Sequence, residues 1–220
     1  MFVSSNVRED TRGRGKRLRA FPLRRYTLLR HGQSTFNARR VLNGDPTVPV
    51  PLTPEGREQV VRARRMLAGA AVDVGVCTRF PRTAETLDIL LQDRQVPVEV
   101  YPELDDVDVG QFEGEPIDAY REWRAVHSPD EAPPGGESRL DALARYVAGY
   151  DRLLAGDARS TLAVLHDVPI RFLLNAAHDA DPIGGPHQGV PNAMPVTYEE
   201  PQLRVAVERM RERLGGGPGL

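Results

Sequence analysis

The chain has 220 residues, of which 40% are hydrophobic and 27% are charged. This balance supplies a core for one domain and excludes a wholly disordered chain. No apolar run approaches the roughly 20 residues that a membrane-spanning helix needs, and the polar, basic N-terminus lacks the apolar region of a signal peptide. The single cysteine, Cys77, cannot form an internal disulfide. We therefore expect a cytoplasmic protein with no membrane partner.

Charge is unevenly distributed along the chain, whose net charge is −2. Residues 1–25 contain eight Arg or Lys and two acidic residues, a local charge of +6 that leaves −8 on the remainder. We expect residues 1–24 to form a basic, disordered arm, residues 25–210 one domain and residues 211–220 a flexible tail. A basic arm can bind nucleic acid, but the acidic remainder argues against nucleic acid as the main partner.

Strand-like and helix-like patterns alternate from Tyr26 onward. The apolar run over 26–29 is typical of a buried strand. Thr53 can cap a helix that has Pro54 in its first turn, and Ser138 with Asp141 three residues later can form a capping box. Further strands are expected at 72–77, 96–100 and 161–165, helices at 82–91, 117–126, 138–154 and 170–177, and short edge strands at 196–198 and 203–207.

This alternation predicts an α/β fold with a mostly parallel central sheet and helices on both faces. Ligands of such sheets bind beyond the carboxyl ends of the strands. Two histidines, His31 and His166, each directly follow an apolar run. We expect the fold to bring them to the same edge of the sheet, although they are far apart in the sequence.

A series of motifs begins at the first of these histidines. Arg30, His31 and Gly32 follow the strand, and Asn37 lies six residues after the histidine. Further motifs follow at 51–56, 78–86, 104–114, 135–138, 165–167 and 190–193. In this order, over about residues 26–200, they resemble the histidine phosphatase superfamily, the phosphoglycerate mutase-like proteins. The resemblance implies that family's three-layer sandwich of helices and sheet.

The resemblance also implies a role for each matching residue. His31 is expected to be the nucleophile that carries the phosphoryl group, and Asp106 the acid and base. The other expected site residues are His166, among the catalytic groups, and Arg30, Gly32, Asn37 and Arg82, in substrate binding. Arg79 is an alternative to Arg82. No metal or other cofactor is implied.

These residue types suit the chemistry on physical grounds as well. A phosphomonoester is a dianion, and arginine presents planar forks of donors to its oxygens. A neutral imidazole can accept the phosphoryl group and so divide hydrolysis into two steps. A carboxylic acid can protonate the leaving alcohol and later help to deprotonate water.

Two positions depart from the family's pattern. Asp106 stands where glutamate is usual and is one methylene shorter, with Asp105 and Glu103 as alternative carboxylates. Asp167 stands where glycine is usual after the second histidine. A carboxylate turned towards the phosphate would repel it, so we expect Asp167 to point outward.

The sequence therefore predicts hydrolysis of a small phosphorylated metabolite through a phosphohistidine on His31. The compact stretch between Asp106 and His166 favours hydrolysis over cofactor-dependent phosphoglycerate mutase-type transfer, because the mutases of this family tend to carry extra segments there. A catalytically weak phospho-ligand binding protein is a third alternative, suggested by Asp106 and Asp167. The substrate and the oligomeric state stay open, with a homodimer as one option.

Overall fold

A five-stranded sheet lies at the centre of the protein, whose computed structural model describes residues 23–92 and 94–215. The strands are β1 (Arg25–Arg30), β2 (Val74–Cys77), β3 (Val98–Val100), β4 (Ser160–Leu165) and β5 (Pro195–Glu199). Their order across the sheet is β3-β2-β4-β1-β5. The pairs β3–β2, β2–β4 and β4–β1 are parallel, and only the edge strand β5 is antiparallel to its neighbour.

Helices cover both faces of this sheet. They are α1 (Thr35–Arg39), α2 (Pro54–Met66), α3 (Pro81–Leu91), α4 (Ile117–Val126), α5 (Arg139–Ala155), α6 (Asp167–Ala177) and α7 (Glu200–Leu214). Two single 3-10 turns, at Pro102–Leu104 and Gly110–Phe112, precede α4. The predicted fold class, α/β with a mostly parallel sheet, is confirmed.

The alternation of side chains along the strands divides the core in two. On one face, Leu28 and Leu165 join an apolar cluster with α5, α6 and α7. On the other face, Leu29 and Val164 join a cluster with α2 and α3. Because both faces are covered, the central strands β1, β2 and β4 consist almost entirely of buried residues, as expected of a parallel sheet, whereas the edge strand β3 is exposed.

The predicted helix caps are also present. The Thr53 hydroxyl accepts a hydrogen bond from the Gly56 amide at 2.9 Å, ahead of α2. At the start of α5, the Ser138 hydroxyl accepts from the Asp141 amide at 3.0 Å, and the Asp141 carboxylate accepts from the Ser138 amide at 3.3 Å. These bonds satisfy amide groups that a helix leaves without partners in its first turn.

The C-terminal region differs from the prediction. The edge strand expected at 196–198 lies within β5, but the strand expected at 203–207 is wrong, because these residues form part of α7. The helix continues through Leu214, so the first residues of the predicted tail over 211–220 are helical. Leu214 packs against the core, which explains why the helix extends so far.

Most of the predicted basic arm, residues 1–22, lies outside the described residues. Of its last two residues, Arg24 is held in place by the domain: its guanidinium donates to the Glu200 carboxylate at 2.7 Å and to the Leu154 carbonyl at 3.0 Å. In the described part of the chain, no helix is long and apolar enough to cross a membrane.

The parallel strands end together at one edge of the sheet. Arg30, the last residue of β1, is paired with Leu165, the last residue of β4. The His31 amide extends this pairing by donating to the Leu165 carbonyl at 3.0 Å. The residue after β2, Thr78, lies at the same edge as His31 and His166, so the fold brings side chains from three distant segments to one place.

Candidate active site

His31 is buried, with 1% of its surface exposed. Its Nδ1 lies 2.7 Å from the Gly32 carbonyl, which can only accept, so the proton is on Nδ1 and Nε2 has a free lone pair. Arg82 Nε donates to that lone pair at 3.0 Å. Burial lowers the pKa of His31 well below its usual value, and the charges of Arg82 and Arg30 lower it further. His31 is therefore a neutral imidazole with an oriented Nε2.

His166 contacts Arg82 from the side opposite to His31, and its hydrogen bonds fix its tautomer in the same way. Arg82 Nη2 lies 3.2 Å from His166 Nδ1, so Nδ1 accepts and the proton is on Nε2. His166 Nε2 then donates to the Thr78 hydroxyl at 2.9 Å. Burial, followed by the charge of Arg82, lowers the pKa of His166 well below its usual value. The two imidazole rings lie 5.4 Å apart.

Arg82 connects the two histidines. It is the second residue of α3, which begins at Pro81 beside the carboxyl end of β2, and only 4% of its side chain is exposed. Its guanidinium donates to the Asn43 side-chain oxygen, to the Asn43 carbonyl at 3.2 Å and to the Asp106 carboxylate at 3.2 Å. Burial lowers the pKa of Arg82, and the charge of Asp106 opposes this shift.

The alternative arginine does not occupy this position. Arg79 is 56% exposed and pairs with Asp105, which also accepts a hydrogen bond from the Arg79 amide at 2.9 Å. Both carboxylate oxygens of Asp105 therefore accept hydrogen bonds from Arg79. Glu103 pairs with Arg152 at 3.2 Å on the surface. Arg82, rather than Arg79, is therefore the arginine of the site, and neither alternative carboxylate contacts the two histidines.

Two residues that support Arg82 were missed in the sequence analysis. Asn43 is buried beneath the guanidinium, and its amide nitrogen donates to Glu113 at 2.8 Å. The Glu113 carboxylate also accepts from the Gly44 amide at 2.6 Å and the Asp45 amide at 3.1 Å. Glu113 belongs to the motif over 104–114, which was the available signal, but that motif does not indicate which loop the carboxylate holds.

Asp106 lies between Arg82 and His166. Its Oδ2 is 3.2 Å from Arg82 Nη2 and 3.5 Å from His166 Nδ1, and its Oδ1 accepts from the Val107 amide at 3.1 Å. Burial raises the pKa of Asp106; the charge of Arg82 opposes this shift and that of Asp167 adds to it. The net direction is upward, which favours the protonated acid.

The other predicted site residues are placed differently from one another. Arg30 donates to the Val190 carbonyl at 2.7 Å and lines the cavity above the histidines. Asn37 also lines this cavity; its Oδ1 accepts from the Ser34 amide at 3.1 Å, which leaves the amide nitrogen to donate. Gly32 does not line the cavity, because its amide donates to the Thr86 hydroxyl at 3.1 Å. Its carbonyl orients His31 instead.

Asp167 differs from the prediction that it points outward. Its carboxylate lines the cavity, where it accepts from the Val190 amide at 2.7 Å. Arg30 Nη1 lies 3.5 Å from the same oxygen. These two contacts offset the negative charge and also tie the loop before β5 to the start of α6, so an inward carboxylate is tolerated.

The cavity has a volume of about 600 Å³; the two buried histidines are not among its lining residues and adjoin it through Arg82 and Asp106. Its lining includes apolar side chains such as Phe36, Val109 and Tyr120, together with two aspartates, Asp106 and Asp167. Six arginines also line it: Arg30, Arg82, Arg121, Arg124, Arg139 and Arg171. This excess of positive charge suits an anionic ligand. Among the described residues, no group of three or more His, Cys, Asp or Glu could hold a metal ion.

An oriented neutral imidazole contacts Arg82, which lines the cavity together with Arg30 and Asp106, the carboxyl group of raised pKa. These are the groups that phosphoryl transfer to a histidine requires. They form a candidate phosphoryl-transfer site at the edge of an α/β sheet. Residues 26–212 match the sequence profile of the histidine phosphatase superfamily (branch 1). The chain belongs to this superfamily, as its motifs indicated.

Its relatives are mutases and phosphatases. A 2,3-bisphosphoglycerate-dependent phosphoglycerate mutase of Afipia carboxidovorans is 30% identical over 188 residues, covering 78% of this chain and 89% of the relative. An adenosylcobalamin/alpha-ribazole phosphatase of Escherichia coli is 35% identical over 89 residues, covering 40% and 43%. The solved alpha-ribazole phosphatase of Shigella flexneri superposes with a TM-score of 0.66 at 25% identity, covering 79% of this chain and 89% of that one. These relatives support an enzyme.

Proposed function

We propose that this protein is a metal-independent phosphomonoesterase that hydrolyses a small phosphorylated metabolite through a phosphohistidine on His31. The observation that carries the proposal is the tautomer of His31. The Gly32 carbonyl holds the proton on Nδ1, so Nε2 carries the lone pair, which becomes available for attack when Arg82 Nε transfers its hydrogen bond from Nε2 to a phosphoryl oxygen. Because the pKa of His31 is lowered, no proton has to be removed before the reaction.

The first step transfers the phosphoryl group to the enzyme. His31 Nε2 attacks phosphorus, the bond from phosphorus to the ester oxygen breaks, and Asp106 gives its proton to the leaving alcohol. In the second step, a water molecule attacks phosphorus while the Asp106 carboxylate takes its proton. The bond from His31 to phosphorus breaks, inorganic phosphate leaves, and Asp106 is again protonated for the next cycle.

The chain's own cations supply the charge that this transfer needs. Arg82 Nε donates to His31 Nε2 at 3.0 Å. When the substrate binds, a phosphoryl oxygen would accept this hydrogen bond in place of His31. Arg30 and Asn37 line the same cavity and can donate to the remaining oxygens. His166 borders the site from the other side of Arg82. Preorganised donors of this kind stabilise the charge of the transition state without a metal ion.

Mutase-type transfer is the second candidate, because a named mutase is 30% identical over most of its length. Between Asp106 and His166, the described chain contains only one 3-10 turn, α4, α5, β4 and their connecting loops. This compact stretch leaves the cavity without an additional covering segment from that region. Water can then reach the phosphohistidine, which favours hydrolysis.

The test measures phosphate release from 4-nitrophenyl phosphate in the presence of EDTA. We expect the parent protein to be active and His31→Ala to lose at least about 10⁴-fold in kcat. His178→Ala serves as the matched control, because His178 is an exposed histidine at the end of α6. Intact mass measured at short times after alkaline denaturation, in which the bond from phosphorus to nitrogen survives, should show one added phosphoryl group in the parent and none in His31→Ala.

Two results would contradict the proposal. Full phosphate release by His31→Ala would remove the nucleophile from the mechanism. Interconversion of 3-phosphoglycerate and 2-phosphoglycerate without net phosphate release would favour the mutase.

A further inference from the structure

A second group of arginines lies in the cavity beyond the phosphoryl site. Arg124 belongs to α4, Arg139 begins α5 and Arg171 belongs to α6, and all three line the same cavity as Arg30 and Arg82. The described contacts that position the two histidines involve none of the three. The mechanism proposed above therefore leaves them without a role.

Among the described residues, Arg124 and Arg139 form no ion pair with a carboxylate, and Arg171 forms only a long one. Arg171 is 8% exposed, and its Nε is buried with no hydrogen-bonding partner among the described residues. Its ion pair with Asp167, at 3.7 Å, is too long for a hydrogen bond, and its Nη1 donates to the Gln188 carbonyl at 3.3 Å. Arg139 Nε is buried and unpartnered in the same way, although its Nη2 donates to the His127 carbonyl at 2.6 Å.

Arg124 is surrounded mainly by other cations. Burial lowers its pKa, and the nearby charges of Arg171, Arg139 and Arg121 lower it further. Arg121 differs from the other three because it pairs with Asp118 at 3.2 Å on the surface. A group of partly buried like charges destabilises the fold unless a ligand of opposite charge offsets it.

The charges that line the cavity point to the kind of ligand. Six arginines face only two aspartates. A bound phosphoryl dianion and the two aspartates, both ionised, leave two of the six positive charges unneutralised, or one when Arg121 is assigned to Asp118. Asp167 lies between Arg30, at 3.5 Å, and Arg171, at 3.7 Å, so it separates the phosphoryl end of the cavity from the end lined by the second group.

We propose that Arg124, Arg139 and Arg171 form a second anion subsite, and that the substrate is a phosphomonoester with another phosphate or carboxylate at its far end. The apolar part of the lining, which includes Val109 and Phe172, suits a carbon-rich spacer. This inference rests on the proposed function, because it assumes that the first phosphoryl group binds at His31.

Binding of inert phosphonates tests the subsite separately from catalysis. By isothermal titration calorimetry, we expect hexane-1,6-diyl bisphosphonate to bind the parent protein at least about tenfold more tightly than hexylphosphonate, because charge-assisted hydrogen bonds are worth that much or more. The statistical advantage of two equal ends accounts for only a factor of two. A preference of twofold or less in the parent would overturn the subsite, whether or not the protein releases phosphate from any ester.

Substitutions of these arginines test whether they cause the preference for the bisphosphonate. Arg124→Gln and Arg139→Gln should each reduce the ratio of the two dissociation constants to about twofold to threefold. Both are tested because either could disturb the fold, which circular dichroism and thermal unfolding would reveal. Arg211→Gln is the matched control, since Arg211 pairs with Asp151 on the surface and does not line the cavity. An undiminished ratio in both folded variants would refute this assignment.

Discussion

Replacement of Asp106 by asparagine should affect substrates according to their leaving groups. Asp106 Oδ2 accepts from Arg82 at 3.2 Å and Oδ1 accepts from Val107 at 3.1 Å. Asparagine has only one side-chain oxygen, so it can keep only one of these bonds. Losing the other costs about 0.5–1.5 kcal/mol, which corresponds to at most about tenfold in affinity. This loss applies equally to every substrate.

Loss of the acid adds a second effect that depends on the substrate. An alkyl alkoxide cannot leave without a proton, so kcat for hexyl phosphate should fall by a further 10²- to 10⁴-fold, roughly the range of general acid catalysis. 4-Nitrophenolate leaves without help, so 4-nitrophenyl phosphate should show only the common loss. The assay is phosphate release from both compounds, with Asp88→Asn, an exposed aspartate of α3, as the matched control.

The pH dependence of kcat provides a second test of Asp106 as the acid. Because the pKa of Asp106 is raised by burial, the acid form persists above the usual carboxyl range and is lost as the pH rises through the shifted pKa. For hexyl phosphate, kcat of the parent should therefore fall on that alkaline limb, and the limb should be absent in Asp106→Asn. Equal losses on both substrates, with the limb retained, would refute the assignment of Asp106 as the acid.

Three further substitutions test the surroundings of the site. Asp167→Asn should keep the hydrogen bond from the Val190 amide but remove a negative charge from the cavity. We therefore expect KM for phosphate esters to fall about 3- to 10-fold and the alkaline limb of kcat to move to lower pH. An unchanged KM and an unchanged limb would contradict this prediction. Thr78→Val should leave the His166 Nε2 proton without an acceptor and lower kcat about tenfold, with rescue by Thr78→Ser. Ser138→Ala should lower the free energy of unfolding by about 1 kcal/mol through loss of the helix cap, measured by urea denaturation at unchanged kcat; no change in that free energy would contradict the capping role.

The sequence was sufficient to predict which strand ends carry the site. His31 and His166 each follow an apolar run, and parallel strands end at one edge, so their meeting follows from topology alone. Arg82 could be preferred over Arg79 from the motif spacing. In contrast, Asn43 and Glu113 act through a loop whose path depends on tertiary contacts, and no local pattern specifies that Glu113 caps the amides of Gly44 and Asp45.

The wrong prediction of a strand over residues 203–207 has a physical explanation. Alternation of Leu203, Val205 and Val207 with less apolar residues imitates the period of a strand. The buried positions are instead Leu203, Ala206, Val207 and Met210, the spacing of a helical face, and Val205 is 52% exposed. Glu199 and Gln202 form a capping box and Pro201 lies in the first turn, so helix-start signals were present before the β-branched residues.

Asp106 and Asp167, the two residues that depart from the family's pattern, interact electrostatically. Asp106 is short, but it contacts Arg82 directly, and such a contact favours ionisation. Asp167 adds a negative charge that raises the pKa of Asp106 and so counteracts this effect. The carboxylate that weakens attraction for a phosphate dianion therefore also helps to keep the acid protonated, while Arg30 and the Val190 amide limit its repulsion. An aspartate in place of glycine is thus compatible with the mechanism that we propose, in which the acid is an aspartate held this close to an arginine.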